Sequence, residues 1–164
     1  MRHEIKPVPE GNKQVLSAIS QVPIFDKLDG DEIKILIRNL GYFKAKEGDI
    51  IFEEGEEGTH VCFVVSGTLD VLKKVEGDEQ VVITSVRQGR SVGEMAIIDK
   101  LTRSATIRAR TETNVLVMSA KQFNYILGTY PGMGIKILKG LAIMLSGNLR
   151  KTATRLADYM LPMG

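Results

Sequence analysis

The chain has 164 residues and a mass of 18.1 kDa, is 43% apolar and 26% charged, and so suits one domain with little room for a second. A folded chain of this size buries roughly 70% of the surface its unfolded form exposes, so it needs neither disulfides nor a structural metal, and its single Cys excludes an internal disulfide framework. With 22 basic against 20 acidic residues the net charge is +2, short of the domain-wide basic excess of most nucleic-acid binders.

The N-terminal stretch carries Glu4, Pro7, Pro9 and Glu10 in place of an export signal. The longest apolar runs are a handful of residues, against the ~20 needed to cross a bilayer. The reading is a soluble, cytoplasmic chain with no membrane span. It begins with a flexible arm over 1–11, followed by one domain over 12–164. Helices are predicted over 12–40: Val15, Leu16, Ala18 and Ile19 form one apolar stripe stopped by Pro23, and Ile33, Leu36, Ile37 and Leu40 form another at helical spacing. Asp29 with Glu32 three residues on makes a capping box for the second helix.

From 41 to 118 the pattern changes to strands. Glycine recurs at 41, 48, 55, 58, 67, 77, 89 and 93, no proline occurs, and β-branched runs such as Val61 to Val65 and Val81 to Thr84 fill the intervals. Gly77-Asp78 reads as a hairpin tip. This grammar predicts an antiparallel β-roll or jelly roll of about eight strands, giving an α+β, mainly β, class. Cys62, inside an apolar strand with no neighbouring cation, is expected to be buried and inert. Over 119–160 helices return. Ser119 and Gln122 cap a short one closed by Gly128 and Pro131, and a long one runs to about Tyr159. Leu138, Ala142, Leu145, Leu149, Thr152, Leu156 and Tyr159 follow heptad spacing, beside a second stripe of Ile137, Leu141 and Met144. One stripe can cover the roll; the other needs a partner. Gly134, Gly140 and Gly147 lower the intrinsic helix preference of this segment by ~1 kcal/mol each, which suits a mobile helix.

Catalytic and metal-binding sets are sparse. His3 and His60 are the only histidines, which argues against a two-histidine metal site, a cupin and a serine or cysteine nucleophile. Gly-Arg-Ser-Val-Gly at 89–93 is too short for a phosphate loop. The acidic run Glu47, Asp49, Glu53, Glu54, Glu56 and Glu57 reads as a solvated turn, and Lys136, Lys139, Arg150, Lys151 and Arg155 as a solvated helix face. The informative stretch is SVGEMAIIDKLTRSATIRA at 91–109. Gly93 permits close backbone approach, Glu94 can accept two hydrogen bonds from a sugar diol, Arg103 offers a forked cation for a phosphate, and Ala96, Ser104 and Ala105 leave room. From spacing alone, Glu94 and Arg103 either face one small anionic ligand bearing hydroxyls or pair with each other.

This stretch resembles the phosphate-binding cassette of cyclic nucleotide-binding domains, with Gly93, Glu94, Met95, Ala96, Arg103, Ser104, Ala105 and Thr106 fitting the family pattern. GDIIFEEG at 48–55 and FVVSGTLDV at 63–71 are similar to the family's β-roll signature, and the likeness runs from about 20 to 155. The resemblance implies that Glu94 accepts from the ribose 2′-hydroxyl and that Arg103 binds the cyclic phosphate. Gly93, Ser104 and Ala105 would add backbone or hydroxyl hydrogen bonds. Ile83, Thr84 and Val86 would meet the base, and Asn148 on the long helix the purine. Thr102 stands where relatives often have proline, so the loop is expected to be less rigid. Ser104 leaves the choice of purine open, with cyclic AMP expected over cyclic GMP. Five residues follow Tyr159, too few for a DNA reader. The expectation is a non-enzymatic cyclic nucleotide sensor, stand-alone or a fragment, without metal or direct DNA binding. It would signal through its long helix to an effector or to a second copy in a homodimer. The alternative is the same roll serving as a scaffold without a nucleotide.

Overall fold

The computed structural model describes residues 6–7, 13–75, 77 and 79–160. Helix α1 (Lys13–Ile19), a 3-10 turn (Pro23–Phe25) and α2 (Gly30–Arg38) precede the roll, as the two stripes predict. The capping box is present: Asp29 Oδ1 accepts from the Asp31 and Glu32 N–H groups, and Glu32 Oε2 accepts from Asp29 N–H at 2.9 Å. The roll holds β2 (Gly41–Ala45), β3 (Ile50–Phe52), β4 (His60–Ser66), β5 (Thr68–Lys74), β6 (Gln80–Arg87), β7 (Ser91–Val92), β8 (Thr106–Ala109) and β9 (Thr113–Ser119), matching the expected eight. Helix α3 (Glu94–Asp99) interrupts it, and α4 (Ala120–Thr129) and α5 (Pro131–Met160) follow.

One correction falls at the N-terminus. Lys6–Pro7 forms β1, pairing antiparallel with Tyr42 and Gly41, inside the stretch read as a flexible arm. A proline donates no ladder hydrogen bond, so it is tolerated at a sheet edge, and β1 is an edge: the sheets run β1-β2-β9-β4-β7 and β3-β8-β5-β6. The β5–β6 hairpin closes as predicted, with Lys74 opposite Gln80; of its proposed tip, Gly77 has φ +80° and Asp78 lies outside the described residues.

The unbroken apolar run Val61 to Val64 follows from burial on both faces of β4. Val61 and Phe63 point to the helices, where Phe63 meets Phe25 edge to face at 4.9 Å between ring centres, while Cys62 and Val64 point into the roll. β9 divides the same way, with Leu116 and Met118 toward the helices and Val115 and Val117 inward. A strand buried on both faces loses the alternation of a half-exposed one. Helix α5 lays Met133, Ile137, Leu141 and Met144 on this helical core, while Leu149, Leu156 and Tyr159 are exposed. The second stripe is buried as its spacing implies, while the heptad stripe divides: Leu145 packs against the helical core and Leu149, Leu156 and Tyr159 face outward. Lys136 on α5 grips Glu32 on α2 at 2.7 Å, so part of the basic face is a tether to the N-terminal helices.

The α5 glycines differ in role. A Cβ at Gly140 would lie 2.6 Å from the Ile24 carbonyl oxygen and 2.8 Å from Ile24 Cα, and one at Gly134 would lie 2.7 Å from a Leu127 methyl, whereas Gly147 has nothing within 4 Å. The first two are packing contacts, and only Gly147 carries the helix-weakening role assigned to all three. Gly140→Ala is therefore expected to destabilise by ~1–3 kcal/mol through overpacking, against Ala's better helix preference, while Gly147→Ala stabilises by up to ~1 kcal/mol. Urea unfolding of both variants checks this, and equal shifts of one sign contradict it.

Candidate functional site

The 91–109 stretch folds into a strand end, one short helix and a returning loop. Gly93, at φ +81°, turns the chain out of β7 and caps α3. A Cβ on Gly93 would lie 2.3 Å from Arg103 Nη1 and 3.2 Å from the His60 carbonyl oxygen, so glycine is required both by the left-handed backbone and by the arginine packed against it. Lys100, the one non-glycine at positive φ among the described residues, ends α3 where glycine ordinarily stands. The return loop is fastened by Arg103 N–H to the Glu56 carbonyl (2.8 Å), Gly55 N–H to the Arg103 carbonyl (2.9 Å) and a bridge between Glu57 and Thr102. Backbone pairing thus holds the loop where Thr102 replaces the family's proline.

Arg103 is 3% exposed. Its guanidinium lies over the Phe52 ring at 3.9 Å, Nη1 donates to the Gly93 carbonyl at 3.0 Å and Nη2 to the His60 carbonyl at 2.7 Å. Nε is buried and has no hydrogen-bond partner. Burial lowers the Arg103 pKa from its ordinary value, opposed by Glu56 and Glu94, yet an arginine starts high enough to stay charged. Glu94 is 7% exposed and accepts from Ser91 Oγ at 3.3 Å. Burial raises its pKa; its own backbone N–H, Ser91 and Arg103 oppose that rise. Glu94 and Arg103 form no ion pair among the described residues, so of the two arrangements left open by their spacing, mutual pairing is absent.

Both line one cavity of about 530 Å³. Gly93, Met95, Ala96, Ser104 and Ala105 line it from the cassette, Thr84 and Val86 from β6, and Asn148 from α5. Ile83 does not. Val71 pairs with Thr84 but Leu72 pairs with Val82, so Ile83 is the extra residue of a β-bulge and stands 54% exposed outside the cavity. Further lining residues escape the sequence reading. Phe52 lies beneath the arginine, Ser91 and Met144 sit between cassette and α5, and Lys151, Thr152 and Arg155 extend the Asn148 face, although two of these read as solvated and Thr152 as part of the heptad seam. The i, i+3, i+4, i+7 spacing of 148, 151, 152 and 155 is their one sequence signal.

The other titratable candidates are structural. Cys62 is fully buried and its thiol is pushed up to about 12, an inert cysteine as expected. Glu54 pairs with Lys73, and Asp49 accepts from Lys46 N–H at 2.8 Å, so the acidic run caps turns and makes ion pairs. No metal-holding group of His, Cys, Asp and Glu occurs among the described residues, and His3 lies outside them. His60, 7% exposed, contacts Thr59 Oγ1 through Nδ1 at 3.2 Å and meets Phe52 edge-on at 5.9 Å. Burial, then Arg103, lowers its pKa from 6.5 to about 4. Below pH 6.5 the unfolded chain takes up a proton that folded His60 refuses, so stability falls as the pH drops toward 4. Compared with His60→Gln, the wild type is expected to lose up to about 3 kcal/mol more between pH 7 and pH 4; parallel chemical-denaturation profiles of the two contradict this.

Comparison with known proteins agrees with this geometry. The cyclic nucleotide-binding domain family matches residues 42–130. The cAMP-dependent protein kinase regulatory subunit of Mycosarcoma maydis is 28% identical over 120 residues, 70% of this chain and 23% of that protein. A lysophospholipase of Neosartorya fischeri is 29% identical over 103 residues, 63% of this chain but 7% of its own length. Among solved structures, a cyclic nucleotide-binding domain from Methylobacillus flagellatus superposes with a TM-score of 0.80 at 24% identity, over 91% of this chain and 84% of that one. The catabolite activator protein of Thermus thermophilus gives 0.71 at 23% identity, over 84% of this chain and 62% of that one. The matched residues contain nearly the whole roll, the cassette and α4, and this chain belongs to the cyclic nucleotide-binding domain family.

Proposed function

We propose that this domain, over 12–164, binds a cyclic mononucleotide, cyclic AMP in preference to cyclic GMP, and performs no chemistry on it. The observation that carries the reading is Arg103: a buried cation with no carboxylate partner on the wall of an open cavity, whose Nε–H, itself shielded from solvent, has no hydrogen-bond partner. An unmet buried donor costs ~1–3 kcal/mol, and an anion arriving at the cavity relieves that cost. A cyclic phosphodiester carries one permanent charge, matching one fixed guanidinium.

In this assignment Arg103 and the N–H of Ala105 hold the phosphate, with Gly93 and the Ser104 hydroxyl completing its shell. Glu94 accepts from the ribose 2′-hydroxyl. Met95 and Ala96 shape the sugar pocket, Thr84 and Val86 meet the base, and Asn148 reaches it from α5. Ligand shifts α5 only through a difference in affinity between helix positions, and Asn148 and Met144 give α5 direct contact with the cavity. The exposed stripe Leu149, Leu156 and Tyr159 then delivers the change to a second copy or to an effector. A cytoplasmic setting belongs to this proposal as the compartment in which such a ligand would be met.

Calorimetry with cyclic AMP and cyclic GMP tests the assignment. Arg103→Ala, losing charge-assisted bonds of ~1.5–3 kcal/mol each, is expected to weaken binding from ~10-fold to several hundred-fold. Arg103→Lys, which keeps the charge but loses the fork, should also weaken it, by less. Unchanged affinity in both variants, or a wild-type protein that binds neither nucleotide, contradicts the reading and leaves an empty scaffold.

A further inference from the structure

We propose that Ser91 is a positioning residue that joins the ligand carboxylate to the long helix: its one hydroxyl proton is shared between Glu94 Oε2, at 3.3 Å, and the Met144 thioether sulfur on α5, at 3.1 Å. The assignment of Glu94 to the ribose is the reading on which the ligand-dependent half of this inference rests.

Ser91 is 5% exposed, and so are its two acceptors nearly, with Glu94 at 7% and Met144 at 8%. A hydroxyl buried to this degree costs free energy unless it is used, and β7 fixes it by pairing Ser91 with Phe63 and Val92 with Cys62 on β4. A serine hydroxyl carries one proton. It can therefore donate to the carboxylate or to the sulfur at one instant, and an acceptor that is also engaged by another donor holds it less strongly. A sugar hydroxyl that donates to Glu94 adds to Ser91 without displacing it, but it weakens the carboxylate's hold on the shared proton and shifts the sharing toward Met144 on α5. That is a differential contact between ligand-free and ligand-bound states, which any ligand-driven helix movement requires.

Ser91 also sets the charge on Glu94. Of the groups that hold this carboxylate ionised against burial, its own backbone N–H and Arg103 remain when the serine hydroxyl is removed. The other charged groups lining the cavity are Arg87 at the end of β6, Arg90 after it, Asp99 on α3, and Lys151 and Arg155 on α5. None is altered by a change at Ser91, and Met144 bears no charge. A protonated Glu94 can no longer make a charge-assisted bond to a sugar hydroxyl, so nucleotide affinity should fall as the pH drops through the Glu94 titration.

The test compares the wild type with Ser91→Ala, Ser91→Thr and Met144→Leu. Two readouts are followed: the carboxyl 13C titration of Glu94 without ligand, and cyclic AMP affinity against pH. Ser91→Ala is expected to move the Glu94 midpoint and the acid limb of affinity to higher pH, with about tenfold weaker binding at neutral pH. Ser91→Thr, which keeps the hydroxyl, restores both. Met144→Leu keeps the volume but removes the competing acceptor, so the Ser91 hydroxyl donates to the Glu94 carboxylate alone and the midpoint moves the opposite way, down. A Glu94 titration unmoved by Ser91→Ala overturns the inference. If Ser91→Ala does not fold, a midpoint in Met144→Leu that is unmoved or raised overturns it as well. If the wild type binds no cyclic nucleotide while both midpoints move as described, the functional assignment fails and the Ser91 relay between carboxylate and helix stands.

Discussion

A guanidinium buried without a counter-carboxylate is the constraint around which this domain is built. Burying a charge is costly unless its donors are met, and here neutral acceptors meet them in part. The carbonyls of Gly93 and His60 take the two Nη groups and the Phe52 ring supplies a π face, while Nε stays unbonded. Neutral partners leave the full positive charge in place for an anion. Much of the local sequence serves this arrangement. Gly93 must lack a Cβ, Phe52 must end β3 beneath the arginine, and Gly55 and Glu56 must pair with the Arg103 backbone to hold the loop.

The rest of the fold places a second wall opposite the cassette. Strands β4 and β9, buried on both faces, separate a helical core from the roll interior, and α5 rests on the helical side. Gly140 lets α5 approach the Ile24 backbone, and Lys136 ties the helix to Glu32. These fix the proximal half of α5. Beyond Leu145 the helix leaves the helical core, with Asn148, Lys151, Thr152 and Arg155 along the cavity and Leu149, Leu156 and Tyr159 facing outward. An element anchored at one end and lining the cavity at the other can couple a bound ligand to an external surface, provided the ligand distinguishes its positions.

Much of this was legible in the sequence because it depends on short-range rules. Both capping boxes, the glycine-punctuated strands, the β5–β6 hairpin and the two stripes of α5 all follow from spacing and turn chemistry. The cassette was legible because its residues are contiguous. What escaped depends on register or on long-range approach. Ile83 falls outside the cavity because a bulge, invisible to period-two counting, displaces it. β1 escaped because two residues carry no periodicity. Phe52 and Ser91 lie inside stretches that the sequence singles out but carry no individual signal there, and their roles arise only when β3 and β7 bring them against Arg103, Glu94 and Met144. Lys151 and Arg155 had the composition of a solvated face, and they are exposed; only the path of α5 past the cavity mouth gives them a further position.

The most direct test of the central claim is the Nε–H resonance of Arg103 in 15N-labelled protein, followed as cyclic AMP is added. The account predicts a saturable downfield shift with slowed hydrogen exchange, as the unbonded donor finds a phosphate oxygen. A resonance that stays in place while the nucleotide binds, or while it fails to bind at millimolar concentration, contradicts the account.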